Sequence, residues 1–157
     1  MLSDRSKNNP SVKVLQAREE RHCRRKSACS PFIAASFNIP GFPKINEIIK
    51  KAFAVISEEI HRFFSAFFSI AGYGVFSDDA GICLEISFPH ADARKLKNAA
   101  EYFEITHEIG RLCDIDVYDA SCIPVSSGRK KRCFLCGNPA LSCIRNRVHA
   151  PEETQAY

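Results

Sequence analysis

The 157-residue sequence contains no tryptophan, and twelve phenylalanines supply most of its aromatic side chains. Proteins that bind single-stranded nucleic acid use exposed aromatic rings as stacking platforms. Here the phenylalanines fall mostly on faces that the hydrophobic pattern predicts to be buried. The composition therefore gives little support to a protein that binds single strands.

The sequence also lacks a long apolar run without charges. Its most apolar stretch, residues 45–70, contains Lys50, Lys51 and Glu58, and the first residues of the chain are polar and charged. These features argue against a membrane span and a signal peptide. We expect one cytoplasmic domain over residues 1–157, without a membrane partner and with residues 1–10 disordered. Its eight cysteines are then expected to be thiols or metal ligands, not disulfides.

Acidic residues are absent from residues 126–149, which hold six lysines and arginines. Residues 1–30 hold eight basic residues against three acidic ones, and residues 31–125 hold eight against thirteen. Basic ends around an acidic middle suit nucleic-acid binding. They suit equally a polyphosphate ligand, with arginines on the phosphates and aspartates on a metal ion.

Hydrophobic periodicity predicts an alternation of helices and strands. The predicted helices are residues 12–28, a long helix within 45–70, and one that begins near Asp92; the predicted strands are residues 31–39, 73–77, 82–88, 113–117 and 122–126. The six central elements follow the order β-α-β-β-α-β. This order predicts an α+β fold, a ferredoxin-like sandwich with an N-terminal helix and a Cys/His-rich C-terminal segment at residues 129–150. A nucleotidyltransferase-like mixed sheet is the alternative.

Two aspartates stand on one predicted strand directly after the Gly110 turn. Side chains two apart on a strand share a face, so Asp114 and Asp116 project together while the apolar residues between and beside them enter the core. Paired carboxylates near Arg111 and His107 suit Mg²⁺ and the phosphates that it carries. A strand with a solvated polar face is the alternative.

The C-terminal segment contains a set of residues typical of a zinc site. Cys133, Cys136, Cys143 and His149 have the spacing C-x₂-C-x₆-C-x₅-H. A C-x₂-C pair converges on a tetrahedral ion across a tight turn, and residues 137–139 supply turn residues. With four protein ligands such a zinc is structural. Thiols packed under a loop are the alternative.

Several separated motifs resemble one enzyme family. They are residues 110–117 (GRLCDIDV), the Arg-Cys-x-x-Cys run at 132–136, Cys143-x-Arg145 and His149, and upstream residues 18–24, 36–37, 40–44 and 92–107. This pattern, over residues 18–149, is similar to that of the apo-citrate lyase phosphoribosyl-dephospho-CoA transferases, also called citrate lyase holo-acyl-carrier-protein synthases. The chain departs from it at Cys113, where a larger apolar residue is usual, and at residues 126–127, where Ser-Ser replaces Ser-Arg.

The resemblance implies a reaction. The prosthetic group of 2′-(5″-triphosphoribosyl)-3′-dephospho-CoA would pass to a serine of the citrate lyase acyl-carrier (γ) subunit, and pyrophosphate would leave. An inactive paralogue that only binds the carrier is one alternative. A small zinc-stabilised module that binds nucleic acid is another alternative, although the aspartate pair would repel the phosphates of the nucleic acid.

Residue chemistry then suggests roles in this reaction. Asp114 and Asp116 would hold Mg²⁺, and His107 would accept the serine proton because its ordinary pKa lies near neutrality. The expected phosphate ligands are Arg111, Arg18, Arg21 and Lys44. A structural histidine at a helix end and a solvated arginine face on the first helix are the alternatives.

Overall fold

The computed structural model describes residues 9–26, 29–39 and 43–156. These residues form α1 (Pro10–Arg25), β1 (Phe32–Phe37), α2 (Glu47–Ser65), β2 (Gly72–Asp78), β3 (Gly81–Ser87), α3 (Ala93–Thr106), a 3₁₀ turn (Gly110–Leu112), β4 (Cys113–Tyr118), α4 (Ala140–Arg145) and α5 (Pro151–Ala156). The order of the central elements is the one that the sequence predicts. None of the helices in the described ranges is long and apolar enough to cross a membrane.

The four strands form one sheet in the order β2-β3-β1-β4, and each neighbouring pair is antiparallel. The α+β class is therefore confirmed, and the alternative of a mixed sheet is wrong for the described strands. The strand predicted at residues 122–126 is also wrong. Tyr118 and Pro124 form an isolated bridge there. The pairing does not continue as a strand, because Cys122 has a positive φ of 60°, which is not an extended conformation.

Helices α2 and α3 pack against one face of the sheet. α2 presents Phe53, Ile56, Ile60 and Phe64 at helical spacing, and all four are buried. They meet the odd-numbered residues of β4, whose burial alternates along the strand. The core therefore lies between these helices and the sheet, and the alternating residues of each strand face the other way.

Helix α1 supplies charged side chains to the opposite face. The guanidinium of Arg21 donates to the Asp78 carboxylate, and the guanidinium of Arg25 donates to Glu85 at 2.7 Å. Asn9 caps α1 through its side chain, and the helix starts at Pro10. The rest of the segment predicted to be disordered, residues 1–8, lies outside the described residues.

The hairpin between β2 and β3 has the predicted position and a two-residue turn. Gly81 follows that turn with φ of +111°, a conformation that glycine adopts without strain. Asp78 accepts the backbone N–H of Ala80 at 2.9 Å. This turn brings Asp78 into reach of Arg21 and fixes α1 on the sheet.

Strand β4 lies at the edge of the sheet, and two buried charged side chains of α3 satisfy the outward backbone groups of Ile115. The Glu104 carboxylate accepts a hydrogen bond from the N–H of Ile115 at 2.8 Å, and the Lys97 ammonium donates to the carbonyl of Ile115 at 3.2 Å. Both side chains belong to buried residues. β4 is thereby tied to α3, and the position of its two aspartates is fixed.

Candidate phosphate-binding cleft and metal centre

The two aspartates of β4 project from the same face, as predicted. Cys113, Ile115 and Val117 are buried, whereas Asp114 is half-buried and Asp116 exposed. Asp114 lies opposite Ser36 of β1, and Asp116 lies opposite Ala34. The carboxylates are therefore accessible and occupy the sheet face that α1 crosses.

Lys131 connects the aspartate strand to the C-terminal segment. Its ammonium donates to Asp114 at 2.6 Å and to Glu104 at 3.2 Å. The Glu104 carboxylate is 6% exposed and that of Asp114 is 49% exposed, so Lys131 bridges a buried and an open carboxylate. One cation thus secures the segment to β4 beside the aspartate pair.

Asp116 has an unusual charge environment. Surrounding protein displaces part of its water and the Asp114 carboxylate repels its charge, so the pKa of Asp116 is raised. Lys97, Lys131 and Arg25 oppose this rise. A divalent cation between the two carboxylates would remove their repulsion.

A cleft of about 710 Å³ opens between the start of β4, the Gly110 turn and the C-terminal segment. Its cationic lining residues are Arg111, Arg129, Lys130, Lys131 and Arg132. Asp114 and Glu104 line it as well, and Phe134, Leu141 and Ile144 supply apolar surface. Asp116, the other aspartate of β4, is not among the lining residues. A cavity with five cations, two carboxylates and an apolar wall suits a phosphate-rich ligand with a less polar part.

Arg111 is held in this cleft by an aromatic ring. Its guanidinium carbon lies 4.8 Å from the centroid of the Phe134 ring, within the range of a cation–π contact. Arg111 follows Gly110, which is buried under the last turn of α3. Arg111 and Asp114 thus line the same cleft, and the phosphate-binding role of Arg111 stays a prediction.

The sequence analysis gave no role to residues 129–132, which form much of the basic wall. Their run of four cations in a region without acids was the available signal. Lys131 was missed because its partners, Glu104 and Asp114, lie 27 and 17 residues away. Sequence spacing cannot reveal such a contact.

The other predicted phosphate ligands do not line this cleft. Arg21 is 6% exposed and is committed to Asp78 and to the carbonyl of Gly81. Lys44 donates to the carbonyl of Ile39 at 2.5 Å. Burial and the charge of Arg18 lower the pKa of Lys44, so these two cations share one neighbourhood outside the cleft lining.

His107 ends α3 and lies outside the lining of the cleft. Its Nε2 lies 2.6 Å from the Glu59 carboxylate, and the N–H of Ile109 donates to Nδ1 at 3.3 Å. The ring also stacks on Phe103 with centroids 4.7 Å apart. Both ring nitrogens are thus engaged in contacts that fix the turn leading to Gly110.

The four residues predicted as zinc ligands come together. One donor atom from each of Cys133, Cys136, Cys143 and His149 can be chosen so that all lie within 4.8 Å of one another. The backbone N–H of Asn138, followed by His149 and Cys143, lowers the pKa of the Cys136 thiol. Three sulfurs and one imidazole are a donor set that could hold a metal ion.

Comparison with known proteins identifies the family of this chain. Residues 11–157 match the family described as apo-citrate lyase phosphoribosyl-dephospho-CoA transferase. Two relatives from Vibrio cholerae serotype O1, strains M66-2 and El Tor Inaba N16961, are each named "probable apo-citrate lyase phosphoribosyl-dephospho-CoA transferase". Each is 38% identical over 64 residues, which are 38% of this chain and 36% of the relative. The aligned part spans about a third of those relatives, whereas the family match covers nearly the whole chain. The chain belongs to the apo-citrate lyase phosphoribosyl-dephospho-CoA transferase family.

Proposed function

We propose that this protein transfers the phosphoribosyl-dephospho-CoA group from its triphosphoribosyl precursor to a serine of the citrate lyase acyl-carrier (γ) subunit. Pyrophosphate is the other product. The observation that carries the proposal is the cleft in which five cations face Asp114. Family membership supplies the reaction class, and the geometry supplies a place for a triphosphate. The antiparallel order β2-β3-β1-β4 supports a ferredoxin-like sandwich as the scaffold.

The basic wall binds the triphosphate in this proposal. Arg111, oriented by Phe134, offers a planar guanidinium that can donate two parallel hydrogen bonds to phosphate oxygens. Arg129 and Arg132 approach from the C-terminal segment. These fixed positive charges also stabilise the charge that develops on the leaving pyrophosphate. The apolar lining at Leu141 and Ile144 would accommodate less polar parts of the substrate.

Asp114 and Asp116 would hold Mg²⁺ in this proposal. Hard oxygen donors on one strand face suit that ion, and a cation relieves the repulsion that raises the pKa of Asp116. Bound Mg²⁺ would neutralise triphosphate oxygens. The ion competes with Lys131 for Asp114, so Lys131 is expected to turn towards phosphate when substrate enters.

The transfer itself makes one bond and breaks one. The serine oxygen attacks the phosphorus next to the ribose, and the bond from that phosphorus to the pyrophosphate oxygen breaks with its electron pair on pyrophosphate. A phosphodiester results, and the serine proton passes to water at the open cleft. Positioning and electrostatics supply most of the catalysis in such reactions. Both nitrogens of His107 are engaged in contacts, so the step is written without it. The role of His107 as general base stays a prediction.

The partners follow from this reaction. The carrier subunit brings its serine to the cleft mouth, and the precursor occupies the cleft. We place the protein in the cytoplasm, where cysteines such as those of the Cys/His cluster stay reduced. Nucleic acid is not a partner in this proposal, since the aspartate pair would repel its phosphates.

The direct test measures the mass of the carrier subunit. Apo-carrier is incubated with the full chain, the triphosphoribosyl precursor and Mg²⁺, and the carrier is expected to gain the mass of the phosphoribosyl-dephospho-CoA group. Asp114→Asn and Asp116→Asn should each abolish the gain and leave the circular dichroism spectrum unchanged. Asp79→Asn removes a carboxylate from the exposed hairpin turn and is the matched control, with full activity expected.

An unchanged carrier mass with the folded wild-type chain would refute the proposal. If the chain then bound the carrier without modifying it, an inactive paralogue would be indicated. Binding of an oligonucleotide with steep salt dependence would indicate the nucleic-acid module instead. Activity retained in either aspartate variant would count against the Mg²⁺ assignment.

A further inference from the structure

The C-terminal segment, residues 129–150, has almost no hydrophobic core of its own. Among the side chains that the structure describes from residue 127 onward, Cys143 alone is buried. Its regular structure consists of the six-residue α4 and an isolated bridge between Arg132 and Pro139. So little apolar burial cannot offset the entropy of ordering more than twenty residues. Another source of stability is needed.

The Cys/His cluster supplies a place for one. The Cys136 and Cys143 sulfurs lie 3.4 Å apart, and Nε2 of His149 lies 3.3 Å from the Cys136 sulfur. Around a tetrahedral zinc with bonds of about 2.3 Å, two sulfurs lie about 3.8 Å apart. The observed separations are near that value, and small shifts would place an ion between the four donors.

The backbone turns tightly at both halves of the cluster. The N–H of Gly137 donates to the carbonyl of Cys133 at 3.1 Å, and Gly137 has φ of +72°. At the other end the N–H of Val148 donates to the carbonyl of Cys143 at 3.0 Å. These bonds direct both halves of the ligand set to one point.

The ligands alternate along the chain with residues of the phosphate-binding cleft. Arg129 to Arg132 come directly before Cys133, and Phe134 follows it. α4 carries Cys143 between Ser142 and Ile144, which also line the cleft. Whatever fixes the four ligands therefore fixes one wall of the cleft.

We propose that a structural zinc ion bound by Cys133, Cys136, Cys143 and His149 builds this wall, so that zinc occupancy controls binding of phosphate ligands. Thiolate and imidazole donors favour zinc over Mg²⁺ or Ca²⁺. Four protein ligands leave no position for a reacting water, so the ion has a structural role. The wall belongs to the proposed active site, but zinc content and ordering of the segment can be measured without any transferase activity.

The first experiment measures metal content and metal coordination. The full chain, purified in reducing buffer without chelator, is expected to contain about one zinc per molecule. Cys136→Ser and Cys143→Ser should lose it, and Cys23→Ser, an exposed thiol on α1, should keep it. Replacement of zinc by Co²⁺ should give the absorption of tetrahedral thiolate coordination. A chain without zinc that also takes none up, or a Cys136→Ser variant that retains it fully, would overturn the site.

The second experiment measures the consequence for the cleft. Zinc-loaded and zinc-free chains are compared by calorimetry with tripolyphosphate saturated with Mg²⁺ as the probe, and zinc removal is expected to weaken binding about tenfold or more, as expected when several charge-assisted contacts are lost. In parallel, hydrogen exchange should lose protection at residues 129–150 and keep it in β1 and β3. If hydrogen exchange at residues 129–150 were equal in the zinc-loaded and zinc-free chains, the proposal would be overturned. This test applies even if the probe binds to neither chain. Equal affinity for the probe would overturn the link between zinc and the cleft.

Discussion

Lys131 and Asp114 are joined by a hydrogen-bonded ion pair of 2.6 Å. The pair connects a residue of the basic C-terminal segment with one of the two aspartates on β4. Because Lys131 also donates to buried Glu104, the segment is docked at the point where β4, α3 and the cleft meet. This contact attaches the basic wall of the cleft to the sheet.

Replacement of Lys131 tests this docking. Lys131→Gln should lower the free energy of unfolding by about 1 kcal/mol or less, because a partly exposed ion pair is screened by solvent. It should weaken binding of the substrate phosphates more clearly, since the segment loses its attachment in the free protein and the bound phosphates lose the charge of Lys131. Thermal unfolding and calorimetry measure the two effects.

Lys130→Gln is the matched control for that variant. Lys130 lines the same cleft but forms no ion pair among the residues that the structure describes. It should leave stability unchanged and reduce phosphate affinity by its charge alone. Equal loss of stability in both variants would contradict the docking role of Lys131.

Gly110 is predicted to tolerate no side chain. A Cβ at this position would lie 2.7 Å from the carbonyl oxygen of Phe103 and 2.8 Å from that of Glu104. Gly110→Ala should therefore cost about 1–3 kcal/mol, as other overpacked sites do, and should displace Arg111. Urea unfolding and the transfer assay measure the change. Gly128→Ala is the control, because a Cβ there would have no neighbour within 4 Å, and it should match the wild type. A Gly110→Ala variant as stable and active as the wild type would refute the close contact.

The Arg21–Asp78 pair predicts a pH dependence of stability. Burial alone would raise the pKa of Asp78, but the Arg21 guanidinium and the Ala80 amide outweigh burial and lower it. A carboxyl with a depressed folded-state pKa stabilises the protein above its unfolded pKa of about 3.9, and the contribution is lost as pH falls through the folded value. Asp78→Asn should thus be less stable than wild type near neutral pH, and the difference should shrink in acid. Urea unfolding from pH 7 to pH 3 measures it; a difference that stays constant would contradict the ion-pair origin.

His107 offers a choice between two roles. If its contacts with Glu59 and Ile109 are structural, His107→Gln should lower the melting temperature and leave the pH profile of transfer unchanged. If His107 were a general base, His107→Gln would instead remove most of kcat and change the shape of that pH profile. We expect the structural result. Glu59→Gln, which removes the same charge contact, should reproduce it.

The sequence predicted the fold well where periodicity is strong. The helical spacing in α2 and the alternation in β4 correspond to buried faces that the structure shows. The strand at residues 122–126 failed because an apolar composition does not reveal the left-handed backbone of Cys122. The long helix is also shorter than predicted: α2 ends at Ser65, and residues 66–70 lie outside it.

The candidate site was only partly accessible from sequence. The orientation of Asp114 and Asp116 and the meeting of the Cys/His residues follow from local spacing, so both could be foreseen. The commitment of Arg21 to Asp78, 57 residues away, could not. Long-range ion pairs decide which cations are available to a ligand, and a linear pattern contains no distance information of that kind.

The capping of Ile115 by Glu104 and Lys97 limits how a partner, such as the carrier subunit of the proposed reaction, could bind at the β4 edge of the sheet. An uncovered outer strand normally invites a partner to add a strand of its own through backbone hydrogen bonds. Here the Ile115 amide and carbonyl are taken, and the Val117 carbonyl accepts the N–H of Val125. At this edge, the carrier subunit of the proposed reaction would therefore be recognised through side chains and loops and not through an added strand.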